Sequence, residues 1–115
     1  MNGEKWKASK LIEKVRKLQP HVIIDNRLEG SGENAGSIRT LNPTPYSGDF
    51  DSPEQMIPPE GIRDEAGNHI PWEACITLNR HWGYHAHDNN YKSVKLIVRT
   101  LVECVSKNGN LILNV

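Results

Sequence analysis

The chain has 115 residues, 37% of them hydrophobic and 24% charged, a composition that suits a single folded domain and argues against a disordered chain. Fourteen basic and fourteen acidic side chains cancel, with no basic stripe or run of like charge, so neither nucleic acid nor an acidic membrane is an expected partner and a neutral small molecule is. No apolar run approaches the roughly 20 residues that a membrane helix needs, and the first residues lack a signal-peptide pattern.

Trp6, Ala8, Leu11, Ile12, Val15 and Leu18 recur at helical spacing among lysines and glutamates, which predicts an amphipathic helix over residues 4–18. Pro20 stops it. His21-Val22-Ile23-Ile24-Asp25 follows, a β-branched run that reads as a parallel strand buried on both faces. Asp25, Asn26 and Arg27 would then stand at its carboxyl end, the edge at which α/β sheets and barrels place their sites.

From Leu28 to Pro71 neither period is sustained, and Gly, Ser, Asn and Pro abound, so the stretch reads as one long loop. Tyr46, Phe50, Met56 and Ile57 argue that this loop is packed. Within it, Tyr46-Ser47-Gly48-Asp49-Phe50-Asp51-Ser52-Pro53-Glu54 is irregular yet apolar in places, the kind of loop that presents a functional group. Glu54 is the first candidate for chemistry. Residues 61–69 read as an exposed hairpin-like turn around Gly67-Asn68, peripheral to the site.

Residues 74–78 form a second short strand, followed by Arg80-His81-Trp82-Gly83-Tyr84. Ser93 caps a helix whose apolar positions Val94, Ile97, Val98, Leu101, Val102 and Val105 make a stripe, closed by Lys107 and Gly109. Residues 111–115 are a third buried-type strand. Cys75 and Cys104, both inside apolar segments, read as buried free thiols. The order helix, strand, long loop, strand, helix, strand predicts an α/β fold, part of a (β/α)8 TIM-type barrel, because three strands and two helices cannot close one that takes about 250 residues.

Five blocks carry more than pattern: Pro20 to Arg27, Ser47-Gly48-Asp49-Phe50 with Ser52-Pro53-Glu54, Pro71 to Cys75, His81-Trp82-Gly83-Tyr84, and Val105 to Leu111. Together and in this order they resemble the α-L-fucosidases of glycoside hydrolase family 29, over nearly the whole chain. The resemblance implies the C-terminal part of a catalytic barrel that removes terminal α-L-fucose from a fucosylated oligosaccharide or glycoconjugate with retention, without a cofactor. Retention takes two carboxyl groups about 5 Å apart across the sugar. The resemblance places the nucleophilic aspartate on a strand preceding residues 4–18, so the chain is expected to be a fragment of one catalytic domain, cut at both ends and inactive alone.

Carried over by position, Glu54 matches the general acid/base, Arg27 an arginine of the sugar pocket, and Trp82 an aromatic that faces fucose. Relatives often read Asn-Asp-Arg where this chain has Asp25-Asn26-Arg27, so the resemblance carries over Arg27 but assigns no role to Asp25 and Asn26. Glu73, within the Trp72-Glu73 block, is the alternative acid/base; Glu54 is favoured because Glu73 would lie at the lower end of its strand, away from the site. Asp49 and Asp51 stay unassigned. His81, His85 and His87 match no metal-ligand spacing, so no metal site is expected. The rival function is a noncatalytic carbohydrate-binding module recognising fucose through Trp82, Tyr84 and Arg27.

Overall fold

The computed structural model describes residues 5, 7–29, 36–37 and 48–115. Trp6, Tyr46 and Ser47, which the sequence reading used, lie outside them. Helix α1 spans Ala8–Leu18, with Ala8 fully buried, and ends as the Gln19 N–H donates to the Val15 carbonyl. Strands β1 (Gly36–Ser37) and β2 (Ser52–Pro53) pair antiparallel; β3 (Trp72–Thr77) and β4 (Gly109–Asn114) pair parallel, and helix α2 (Val94–Ser106) connects them.

The expected strand at 21–25 is reduced to one parallel bridge, Asp25 with Phe50. Its burial on both faces is also corrected: Ile23 is 72% exposed, and Val22 and Ile24 are half-buried. A carboxylate replaces part of the missing ladder. The Ile24 N–H donates to Asp49 Oδ2 at 2.8 Å, while the Asp49 N–H donates to the Ile24 carbonyl at 2.7 Å. Arg16 of α1 clamps the same place, donating to the Val22 carbonyl at 2.6 Å and to both Asp49 oxygens at 2.6 and 2.7 Å. Gly48 makes the approach possible, because its φ is +73° and a Cβ there would fall 2.3 Å from the Asp25 carbonyl oxygen.

The long loop is corrected as well. Phe50–Glu54 runs parallel between Asp25 and β3, through bridges Asp51 to Trp72 and Glu54 to Cys75. Backbone bonds from Asp51 to Pro71, Glu73 to Asp51 and Gln55 to Cys75, all 2.9–3.0 Å, sustain it. Gln55 then takes φ +55°, which ends the extended run just after Glu54. Four extended segments thus lie side by side in chain order, all pointing the same way.

β3 begins two residues earlier than expected and alternates. Trp72, Ala74 and Ile76 turn to one side and join Ile62 and the α2 residue Cys104 in the core, while Glu73 and Cys75 face the other side. The Trp72 indole N–H donates to the Lys107 carbonyl at 3.1 Å. Gly109 lets β4 lie against that ring: a Cβ would sit 2.3 Å from it. Both cysteines are free, Cys104 buried and Cys75 only half-buried.

α2 starts where its cap predicts, with Ser93 Oγ accepting from the Leu96 N–H at 3.2 Å. Its apolar stripe is wider than the surface it covers, for Val98, Leu101, Val102 and Val105 are all exposed. The 61–69 turn forms, closed by an Arg63 to His69 bridge, with Gly67 at φ +84°. Its tip is peripheral as expected, but its base is not: Ile62 is in the core.

Candidate active site

Asp25 ends the first extended segment, and its carboxylate accepts the Arg27 N–H at 3.1 Å, turning the chain into a short 3-10 turn over Arg27–Glu29. That turn throws alternate side chains to opposite sides. Asn26 goes inward, fully buried, donating to Asp51 Oδ1 at 2.9 Å and accepting the Ser52 N–H at 3.1 Å. Arg27 goes outward over the neighbouring segment.

Ser52 and Glu54 stand two residues apart on that extended segment and so share a face. Arg27 spans both: Nε donates to Ser52 Oγ at 3.1 Å and Nη1 to Glu54 Oε2 at 2.7 Å. The ion pair is about one-third exposed on each side, open enough for a ligand to reach. Arg27, Glu54, Glu73 and Trp82 line one cleft of about 460 Å³, together with Asp25 and Cys75.

Glu73 therefore belongs to the cleft's wall, which the sequence reading placed out of reach. It sits near the amino end of β3, and also lines a second hollow of about 240 Å³ with Ile23, Phe50 and Trp72. Burial, then the negative charge of Asp25, pushes its carboxyl above the usual range. Burial likewise raises the Cys75 thiol, with Arg27 opposing and Glu54 and Glu73 assisting.

Trp82 follows β3 in a turn held by its own carbonyl, which accepts from Asn114 Nδ2 at 2.8 Å. Beyond it lies an arrangement that sequence reasoning missed. Asp88, buried, accepts from the Arg80 and Asn90 N–H groups at 2.9 and 3.1 Å and pairs with His81 Nδ1 at 2.6 Å. Its carboxyl falls to about 2, chiefly through the His81 bond and against the effect of burial. His81 stacks on His85 at 4.2 Å, and His85 meets His87 edge-on at 6.1 Å. Among the described residues no group of three or more His, Cys, Asp or Glu could hold a metal ion.

Asp49 and Asp51 find roles in the scaffold, at Arg16 and Asn26 respectively. Ser52 was within reach of sequence reasoning, since period-2 spacing from Glu54 places both on one face once the segment is read as a strand. Asp88 had no comparable signal, lying in a polar loop seven residues from its histidine.

The model of the α-L-fucosidase family matches residues 1–115. The chain belongs to the α-L-fucosidase family. It is 61% identical to α-L-fucosidase isoenzyme 1 from Paenibacillus thiaminolyticus, with a TM-score of 0.87, covering 100% of this chain and 26% of that one. An α-L-fucosidase from Lactobacillus casei, solved in complex with α-L-fucose product, is 28% identical over 93% of this chain and 28% of its own, with a TM-score of 0.65. A family 29 fucosidase from Bacteroides thetaiotaomicron is 26% identical over 95% of this chain and 25% of its own, also at 0.65. The curated proteins give no match. This member of the α-L-fucosidase family thus spans about a quarter of the length of the solved fucosidases it resembles.

Proposed function

We propose that the chain is the segment of a retaining α-L-fucosidase catalytic barrel that supplies the general acid/base, Glu54, with Arg27 and Trp82 as fucose contacts. One observation carries it: Arg27 bridges Ser52 and Glu54 at the carboxyl end of a parallel ladder, inside a cleft that Trp82 also lines. The partial (β/α)8 reading draws support from four extended segments lying parallel in chain order, as barrel neighbours do.

In the first half-reaction a protonated Glu54 gives its proton to the glycosidic oxygen as the sugar transfers to the nucleophilic aspartate, which a preceding segment of the parent enzyme contributes. In the second, Glu54 as carboxylate takes a proton from the water that releases fucose. The 2.7 Å contact from Arg27 Nη1 holds the Glu54 carboxyl in place through both steps. Among the described residues Arg27 Nη2 makes no hydrogen bond and so suits a ring hydroxyl, and the part-exposed Trp82 suits the apolar edge and methyl group that set fucose apart from galactose.

The test is the full-length enzyme on an aryl α-L-fucoside, with NMR of the first-formed sugar. Release of the α anomer is expected. First release of the β anomer would contradict retention, and binding of fucose without turnover of any fucoside would favour the noncatalytic reading.

A further inference from the structure

Glu54 is the last residue of its extended segment, and the backbone leaves the ladder at the residue after it. Gln55 has φ +55°, a left-handed conformation that a non-glycine residue keeps only where its surroundings hold it. Three bonds to β3 hold it. The Gln55 N–H donates to the Cys75 carbonyl at 2.9 Å, Nε2 donates to Thr77 Oγ1 at 2.9 Å, and Oε1 accepts the Thr77 N–H at 3.4 Å. In a continued strand the Gln55 side chain would turn away from the side that Ser52 and Glu54 share, whereas Thr77 follows Glu73 and Cys75 at period 2 on the cleft side of β3. The left-handed residue brings the two together.

We infer that Gln55 is a positioning residue for Glu54: its amide, tied to Thr77, fixes the backbone that aims the acid/base carboxyl, while Arg27 fixes the carboxyl itself. The inference rests on the reading of Glu54 as the acid/base.

Thr77 is built to receive that amide. It is 1% exposed, and its one hydroxyl proton goes to the Asn79 carbonyl, so its lone pairs are open to Gln55 Nε2 and, more distantly, to Lys92 Nζ at 3.5 Å. Lys92 also donates to the Thr77 and Asn79 carbonyls, which pins the end of β3 to which Gln55 is fastened. Gln55, Thr77 and Lys92 are not among the described residues that line the cleft, so they act on the reaction through the place where Glu54 stands. Proton transfer to a leaving oxygen tolerates little displacement of the donor, and departure of a group that needs no proton is indifferent to it.

The experiment compares kcat/KM of the full-length enzyme for a fucosyl disaccharide, whose leaving group needs the proton, and for a dinitrophenyl fucoside, whose leaving group does not. Gln55→Gly accepts φ +55° without strain and removes the amide of an exposed residue; Thr77→Val, its companion, removes the acceptor and leaves Gln55 in place. The disaccharide-to-aryl ratio should fall about fivefold or more in each variant. A merely structural role slows both substrates alike, so a ratio unchanged in Gln55→Gly overturns the inference, whether both substrates slow together or neither does. Glu54→Gln separates that failure from failure of the reading beneath it: a ratio that stays unchanged there overturns Glu54 as the acid/base, with Gln55 untouched.

Discussion

Glu54 pairs with Cys75 across the parallel ladder, while Glu73 is two residues back along the same strand, so the two glutamates stand on different rungs of one cleft. Sequence reasoning ranked them by resemblance and by expected height along the strands. The ladder gives a sharper distinction: Glu54 is on Arg27, whereas Glu73 is near Asp25 and partly shielded from water.

Glu54→Gln in the full-length enzyme should therefore lower kcat/KM by about 100-fold or more on fucosides with poor leaving groups, and far less on activated aryl fucosides that need no proton. Glu73→Gln should show no such dependence on the leaving group. Steady-state kinetics on a series of leaving groups decides between them, and a reversed pattern would make Glu73 the acid/base.

The parts of the fold that sequence made legible share a physical signature. α2 has a capping serine and an unbroken 3.6 period, and its start agrees with expectation to the residue. β3 was only shortened in the reading, because Glu73 breaks its apolar run even though alternation continues through it. Phe50–Glu54 was hidden for the opposite reason. Its buried positions include Asp51, Ser52 and Pro53, so hydrophobic alternation is absent and the proline argues against a strand. Arg27, Glu54 and Trp82 were assigned roles through resemblance alone, and it is the pairing of distant segments that brings them to one cleft with Ser52, Asp25 and Glu73.

Asn26 and Asp51 join the first two extended segments beneath that cleft, both fully buried. Asn26→Ala removes the donor to Asp51 and the acceptor of the Ser52 N–H together, and should destabilise the full-length enzyme by about 1–3 kcal/mol. Urea denaturation measures it. A loss within about 0.5 kcal/mol would mean that the pair holds nothing that matters to folding.

The Asp88 carboxyl, lowered to about 2, gives a pH signature. A group with a depressed folded pKa stabilises fully above its ordinary value near 3.8, and that contribution disappears as pH falls toward 2. Asp88→Ala should accordingly lower the Tm of the enzyme at pH 6, and the gap from the unsubstituted protein should narrow below pH 4. A gap constant from pH 6 to pH 3 would show that Asp88 acts by packing and not as an ion.

Residues 1–115 expressed by themselves should associate with increasing concentration, melt without a sharp transition and cleave no fucoside. Among the described residues the outer edge of β4 has no strand partner, and an unpaired edge invites pairing with another chain. Apolar surface adds to this. Val94, Val98, Val102 and Val105 on α2 are each more than half exposed, as is Ile23 in the first extended segment, and exposed apolar surface of this kind drives association. Chemistry supplies the loss of activity, since a retaining double displacement takes a nucleophile as well as the acid/base. Analytical ultracentrifugation and calorimetry test the first half: a monomer with a cooperative melt would refute the partial-barrel reading. Turnover of an aryl fucoside by the isolated residues would place the nucleophile within this chain, and Asp25, which shares the cleft with Glu54, would be the first residue to replace.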